Sequence, residues 1–449
     1  MKNWGSFSKK ISAYAVAALM SLMSLMPLVS LMSLASCSSG AECDGLPVVD
    51  LCEGLENVVP VRLSEIADAD KGIRYIPLET VEGAFVGGPQ LEGSLSVRVG
   101  FPVGAGTGTG AGTGTGTGAG FFIRAWRSDF GVHYFGPDGK FIRSIGKKGR
   151  AKGEFVFNSN VVLADDRDEI AIGSPQKSVV YNSENEFLKE LDYDTLASRV
   201  PFIAALGYVG DGRYTNMCAF PMESPGNPNV YMAVFGNSGK LDKLCPIMEE
   251  EVGQMGIGTG DNMVKKSFVT LGLTFNLAGE KVYARVEEDT LFKFDENFKL
   301  VPFMALDYGM YKERDWEYQI RLEQGGGSIM KAGDKMLFIV RCPRNEFQGG
   351  LNSMNNDMFC SNLLVYDLKT GKTNGVVYNP EMGILGLEND LDGGAPFVPH
   401  VVNGDKMYQI LDAMTFIDIA QKSSSVKMKQ VAATLTEESN PVIIEVTLK

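Results

Sequence analysis

The segment Glu388-Asn389-Asp390-Leu391-Asp392-Gly393-Gly394 is rich in oxygen donors. Its Asp390-Leu391-Asp392-Gly393 spacing suits carboxylates and carbonyls that hold Ca²⁺. It lacks the spaced ligands and terminal Glu of an EF-hand loop, and a solvated connecting loop accounts for the same residues. Asp390 and Asp392 are therefore the candidate metal ligands, and Ca²⁺ is the one cofactor in view. Asp165, Asp166 and Asp168 form a second acidic group, which a hairpin turn explains. Glu249-Glu250-Glu251 reads as a solvated charge run.

The chain has 2 histidines, His133 and His400, which excludes a multi-His metal site. Neutral imidazole suits general-base work near physiological pH. No Ser or Cys nucleophile is tied to either histidine by spacing, so no catalytic residue is assigned. Trp126, Trp316 and the many Tyr and Phe either stack on a glycan or fill seams between packed sheets. Of the 7 cysteines, Cys43, Cys52, Cys218, Cys245, Cys342 and Cys360 follow Cys37. An exported chain permits disulfides. Sequence neighbours suggest Cys43 with Cys52, Cys218 with Cys245, and Cys342 with Cys360. The last pair flanks a loop between apparent strands and is the disulfide candidate, with buried free thiols as the alternative. No CxxC is present, so a thiol-redox or zinc-knuckle reading has no support.

Residues 104–120 contain only Gly, Ala and Thr, with Gly at every second position. That alternation breaks the spacing of a phosphate-cradling loop, and a strand-like Phe121-Phe122-Ile123 follows where such a loop needs a helix. The tract reads as a flexible insertion.

The elements that must position these groups are short strands. Runs of β-branched and aromatic residues alternate with turn residues, and amphipathic helical stretches are scarce. One pattern recurs: an apolar strand, a turn rich in Asp, Asn and Gly, then another strand. It occurs at Val132–Ile142, Val179–Leu188, Ala233–Leu241, Leu291–Leu300 and Leu364–Lys372. Hairpins at this spacing fit the four-stranded blades of a propeller. Val161-Val162-Leu163 with Ile170-Ala171-Ile172 is a further strand pair. A sixth blade would close the ring from both chain ends, with Phe397–Val402, Met407–Leu411 and Val442–Leu448 as three strands and Ile73–Leu78 as the fourth. The expected fold is all-β, a six-bladed propeller over residues 73–449.

The N-terminus reads as an address. Lys2, Lys9 and Lys10 precede an apolar stretch from Ile11 to Ala35 that ends in Leu34-Ala35-Ser36-Cys37. This is a secretory signal, and its end resembles the bacterial lipoprotein signal. That resemblance implies cleavage of residues 1–36 and lipid on Cys37, leaving residues 37–72 as a tether. The other reading of the apolar run is an uncleaved membrane anchor. Removing three lysines from a chain of 42 basic and 55 acidic residues leaves 39 against 55, a charge of −16. An acidic chain without an extended run of Lys and Arg argues against nucleic acid as a partner.

Arg74-Tyr75-Ile76-Pro77-Leu78-Glu79-Thr80, Gly139-Lys140-Phe141-Ile142-Arg143-Ser144-Ile145-Gly146 with Gly149 and Gly153-Glu154-Phe155, and Asn440-Pro441-Val442-Ile443-Ile444 occur in that order. They resemble the opening strand, first hairpin and closing strand of the six-bladed β-propeller lipoproteins of Bacteroidetes, related to NHL-repeat propellers. Lys152 stands where that family commonly has Pro. The resemblance implies a fold and an envelope location but no catalytic residues. Surface-exported members carry an acidic stretch after the lipidated Cys. Ser38-Ser39-Gly40-Ala41-Glu42 has one acid, which points to the periplasmic side of the outer membrane. The expected function is a non-enzymatic scaffold, anchored through Cys37, that binds an envelope protein, peptide or glycan. The rival is a Ca²⁺-dependent, lactonase-like hydrolase or lyase with acidic and Asn side chains at the channel mouth.

Overall fold

The computed structural model describes residues 45–87, 95–98, 119–125, 128–158, 160–173, 177–193, 196, 202–219, 229–248, 253–257, 264–268, 273–277, 280–284, 289–312, 319–323, 328–344, 346–347 and 359–449. These form antiparallel sheets built in chain order. Blade 1 comprises Leu95–Arg98, Gly120–Arg124, Val132–Phe135 and Phe141–Ile145. Blade 2 comprises Asn160–Leu163, Ile170–Gly173, Val179–Tyr181 and Phe187–Glu190. Blade 3 comprises Phe202–Tyr208, Tyr214–Ala219, Val230–Phe235 and Leu241–Met248. Blade 4 comprises Leu273–Leu277, Glu280–Ala284, Thr290–Phe294 and Leu300–Asp307. Blade 5 comprises Ile329–Ala332, Lys335–Pro343, Phe359–Asp367 and Thr373–Val376, with Arg321–Leu322 also on Lys335–Pro343. Blade 6 is Val401–Asn403, Lys406–Leu411 and Val442–Thr447, completed by Ile73–Pro77 from the other end of the chain.

The first strands of neighbouring blades meet one another: blade 1 with 2, 2 with 3, 4 with 5, 5 with 6, and 6 with 1. First strands therefore surround the centre and fourth strands form the rim of a six-bladed β-propeller. The apolar core is divided accordingly. Phe121, Ile123, Tyr408 and Ile443 fill the seam of blades 6 and 1, while Phe122, Phe155, Ile172 and Tyr181 fill that of 1 and 2. The other four seams have clusters of their own. The middle strands of blades 1 to 3 are buried on both faces, so they read as continuous apolar runs such as Val179–Tyr181 rather than as an alternating pattern.

The recurrent sequence pattern is the hairpin of the third and fourth strands. In blade 1, Gly136 N–H donates to Lys140 O and Gly139 N–H to Gly136 O. Asn182 and Asn185, Gly236 and Gly239, and Asp295 and Phe298 repeat this geometry in blades 2, 3 and 4. The third turn residue is left-handed each time: Gly139 at φ 83°, Asn185 at 64°, Gly239 at 81° and Phe298 at 61°. A register shift lies next to the turn in blades 1, 2 and 3, the signature of a turn with a bulge, and further along the strand, between Leu291 and Phe292, in blade 4. The two glycines also need to be glycines for space. A Cβ on Gly139 would strike Pro77 O, and one on Gly239 would strike Glu190 O, each the end of the preceding blade's rim strand.

Two features correct the sequence reading. Residues 37–72 were expected to be a tether ahead of a propeller beginning at 73, but the compact unit starts at Leu46. Val48–Asp50 adds a parallel strand to the rim of blade 4 and Val58–Val59 adds one to blade 5. Between them helix α1 (Leu51–Glu56), capped by Asp50 accepting from Glu53 N–H, buries Leu51 and Leu55. This strap covers two rim edges that would otherwise present unpaired backbone. Blade 6 also carries two helices, α2 (Ala413–Lys422) and α3 (Val426–Ala432). Asp412 and Ser425 cap them by accepting from Thr415 and Met428 N–H. Phe416, Ile419 and Ala420 form the buried stripe of α2. The Gly/Ala/Thr tract lies outside the described residues up to position 118. Its last residue, Gly120, already belongs to blade 1, where a Cβ would strike Phe135 O.

Candidate functional site

Loop 388–394 lies between blades 5 and 6, and its two candidate ligands face different partners. Asp390 Oδ1 accepts the Ser64 N–H at 2.9 Å and Oδ2 accepts the Ser64 hydroxyl at 2.5 Å, fastening the strap's turn at Leu63–Glu65. Asp392 Oδ1 accepts from the Tyr75 hydroxyl, Asn389 Nδ2 and Gly394 N–H, each at 3.0 Å, and Oδ2 accepts from the Ser425 hydroxyl at 2.6 Å. Burial, with the Asp392 charge next to it, pushes the Tyr75 hydroxyl well above its ordinary range, so it stays protonated and donates. Hydrogen-bond donors occupy the lone pairs that a cation would use. The loop thus works as a clasp holding the strap, the rim strand of blade 6 and the start of α3. Among the described residues no group of three or more His, Cys, Asp or Glu could hold a metal ion.

The acidic turn 165–168 is also engaged. Asp166 accepts from the Tyr208 hydroxyl and, at 2.9 Å, from Asp211 N–H, linking blade 2 to blade 3. Asp168 accepts from Ser183 N–H and, at 2.6 Å, from its hydroxyl. Glu249, Glu250, Glu251, Trp126 and Trp316 lie outside the described residues.

Across the hairpin, His133 Nδ1 lies 2.9 Å from Ser144 Oγ, a pairing that sequence spacing did not reveal. It has no nucleophilic use, because His133 is buried and packs against Phe141. Desolvation lowers its pKa to about 4, so it is neutral at physiological pH. His400 Nδ1 accepts the Ile410 N–H at 3.0 Å, and burial lowers its pKa to about 3. Both imidazoles serve the fold.

Cys342 and Cys360 are direct partners across adjacent strands of blade 5, buried, and not joined in a disulfide. Cys218 and Cys245 lie on the second and fourth strands of blade 3, with Val230–Phe235 between them. Two strand spacings, about 9–10 Å, exceed the span of a disulfide. The expected Cys218–Cys245 pairing is thereby corrected, and both thiols are free. Cys37 and Cys43 lie outside the described residues.

At the centre, the six first strands carry no Asp or Glu, and their charged residues are Arg98 and Lys331. Val161, Leu163, Val401 and Val402 are half-buried there and pack into the seams. Asn403 Nδ2 donates to Val97 O at 2.7 Å, binding blade 6 to blade 1. The convergent carboxylates expected of the hydrolase reading are not on these strands.

No curated protein matches the chain. Among solved structures, a putative exported protein from Bacteroides fragilis is 13% identical, with a TM-score of 0.54, covering 90% of this chain and 99% of its own. A member of the DUF4221 family from Bacteroides vulgatus is 9% identical, with a TM-score of 0.44 and coverage of 84% and 98%. Among the described residues no helix is long and apolar enough to cross a membrane. The family model described as Domain of unknown function (DUF4934) matches residues 126–447. That match takes in the third strand of blade 1 through the closing strand of blade 6, and the chain belongs to this family.

Proposed function

We propose that the chain is a lipoprotein, anchored through Cys37 on the periplasmic side of the outer membrane, whose propeller is a non-enzymatic scaffold for an envelope protein, peptide or glycan. The observation that carries this reading is the engagement of the candidate Ca²⁺ ligands Asp390 and Asp392 as a clasp that holds the strap, blade 6 and α3. A lactonase-like centre needs convergent acidic ligands at the channel. The anchor rests on Leu34-Ala35-Ser36-Cys37 and the preceding apolar stretch.

The test has two arms. Cells fed an alkynyl fatty acid should label the wild-type chain and not Cys37→Ser, and protease added to intact cells should leave the chain full-length. Thermal melts in EDTA and then in excess Ca²⁺ should coincide, because a ligand specific for the native state would raise the midpoint. A Ca²⁺-dependent rise would overturn the non-enzymatic reading. Labelling of Cys37→Ser would overturn the anchor.

A further inference from the structure

The most basic stretch of this acidic chain is Lys147-Lys148-Gly149-Arg150-Ala151-Lys152, the link from the rim of blade 1 to the first strand of blade 2. A lysine run on a surface is ordinarily a solvated face. Two observations set this one apart. The first is its rigidity. Gly149 N–H donates to Phe155 O and Phe155 N–H to Lys147 O, while Lys148 N–H donates to Asp129 O. Gly153 N–H donates to Glu190 Oε1 at 2.5 Å, the Lys177 ammonium to Ala151 O at 2.7 Å, and the Tyr181 hydroxyl to Gly153 O at 2.5 Å. Lys147 forms an ion pair with Glu154 at 3.4 Å while its side chain stays largely in solvent.

The second is convergence. The loop borders a groove of about 490 Å³ together with Tyr181, Asn185 and Phe187 of blade 2. That volume is of small-ligand size, in a groove open to solvent along one side. Phe187 is 37% exposed at the start of blade 2's rim strand, and the Lys152 ammonium stands 5.9 Å from its ring centre. Gly153, at φ 76°, brings the loop backbone against the same ring. Asn185 is fixed by accepting Gly146 N–H at 2.8 Å, which leaves its amide hydrogens as donors.

The geometry points to this groove as a binding site for an acidic saccharide. An exposed aromatic face takes the apolar face of a sugar ring. The Lys152 ammonium takes a carboxylate borne by the sugar, with Lys147 beside it in its ion pair with Glu154, and the Asn185 amide takes a ring hydroxyl. A rigid border limits the ordering entropy lost on binding. This inference rests on the binding-module reading and names its ligand class and place.

The full chain is titrated calorimetrically with trigalacturonate, and with maltotriose, tripolyphosphate and tetraglutamate as probes lacking the charge, the ring or the sugar. Trigalacturonate should bind, and the other three should bind about tenfold more weakly or not at all. Lys147→Gln with Lys152→Gln should weaken trigalacturonate by about tenfold at an unchanged melting midpoint. Phe187→Leu, which keeps apolar bulk without the aromatic face, should weaken it several-fold. Absence of trigalacturonate binding, or binding indifferent to these variants, overturns the site. Equal binding of tripolyphosphate or tetraglutamate overturns the saccharide class. Such failures with Cys37 labelling intact leave the scaffold reading standing, whereas a Ca²⁺ response would end that reading whatever the titration gave.

Discussion

Lys189 Nζ lies 3.0 Å from Glu169 Oε2, with both side chains about one-tenth exposed, in the seam between blades 2 and 3. The same ammonium donates to Gly212 O at 3.0 Å, and the Tyr214 hydroxyl donates to the same carboxylate at 3.0 Å. A charged pair therefore adds to the apolar packing and hydrogen bonds that close this seam. Removing one partner strands a buried charge, so Lys189→Met or Glu169→Gln should each lower unfolding free energy by about 3–5 kcal/mol. Urea melts give the value. A loss below about 1 kcal/mol, as for an exposed pair, would show that the seam is wet.

Asp392 receives donors from the rim strand of blade 6, from α3 and from its own loop. Asp392→Ala leaves them unpaired and should cost on the order of 3 kcal/mol, whereas Asp390→Ala, at an exposed position, should cost about 1 kcal/mol. A chain that melts alike with both variants and gains stability from Ca²⁺ would contradict the clasp.

The strap belongs to the folded unit through Val49, Leu51 and Leu55, which are buried against blades 4 and 5. Leu51→Ala should destabilise by about 2–5 kcal/mol. A dispensable tether would tolerate the change, so an unchanged midpoint would restore the boundary at residue 73.

His133 and His400 make the protein sensitive to mild acid. Both folded-state pKa values, about 4 and about 3, lie below the ordinary 6.5. The unfolded chain therefore binds protons first. Their contribution is complete above pH 6.5 and falls as pH drops from there towards 4. Asp367, held down to about 2 by the Lys335 ammonium 2.5 Å away, acts in a lower window: its contribution is lost only as pH falls below 3.8. His133→Gln should reduce the fall in melting midpoint between pH 7 and 4.5. An undiminished fall would assign the acid sensitivity elsewhere.

Burial raises the Cys218 thiol to about 12 and pushes Cys342 higher still, so neither forms a thiolate readily. Thiol reagents should reach these two, with Cys245 and Cys360, only after unfolding. Mild oxidation followed by peptide mapping should yield no bond among these four except Cys342–Cys360, the one pair in register. A Cys218–Cys245 peptide would contradict the strand order of blade 3.

The architecture was legible because its signals are local. Turn residues at Gly136–Lys140, Asn182–Glu186 and Gly236–Lys240 announce the same hairpin. Ring closure was legible too: Ile73–Leu78 and Val442–Leu448 are apolar runs at opposite chain ends, and they are paired in blade 6. The helices of blade 6 went unread because Phe416, Ile419 and Ala420 form a stripe of little more than one turn among strands. The strap went unread because strands of two or three residues carry no periodicity.

The sequence by itself determined the blade repeat, the closing strands and the residue types at each candidate site. Only the tertiary structure decided what those residues do, since that depends on partners far along the chain. Asp390 meets Ser64, Asp392 meets Tyr75 and Ser425, and Phe187 meets the lysine loop of the preceding blade. A carboxylate's role follows from whether donors or cations face its lone pairs. In a propeller those neighbours come from the next blade, at a sequence distance that no local pattern records.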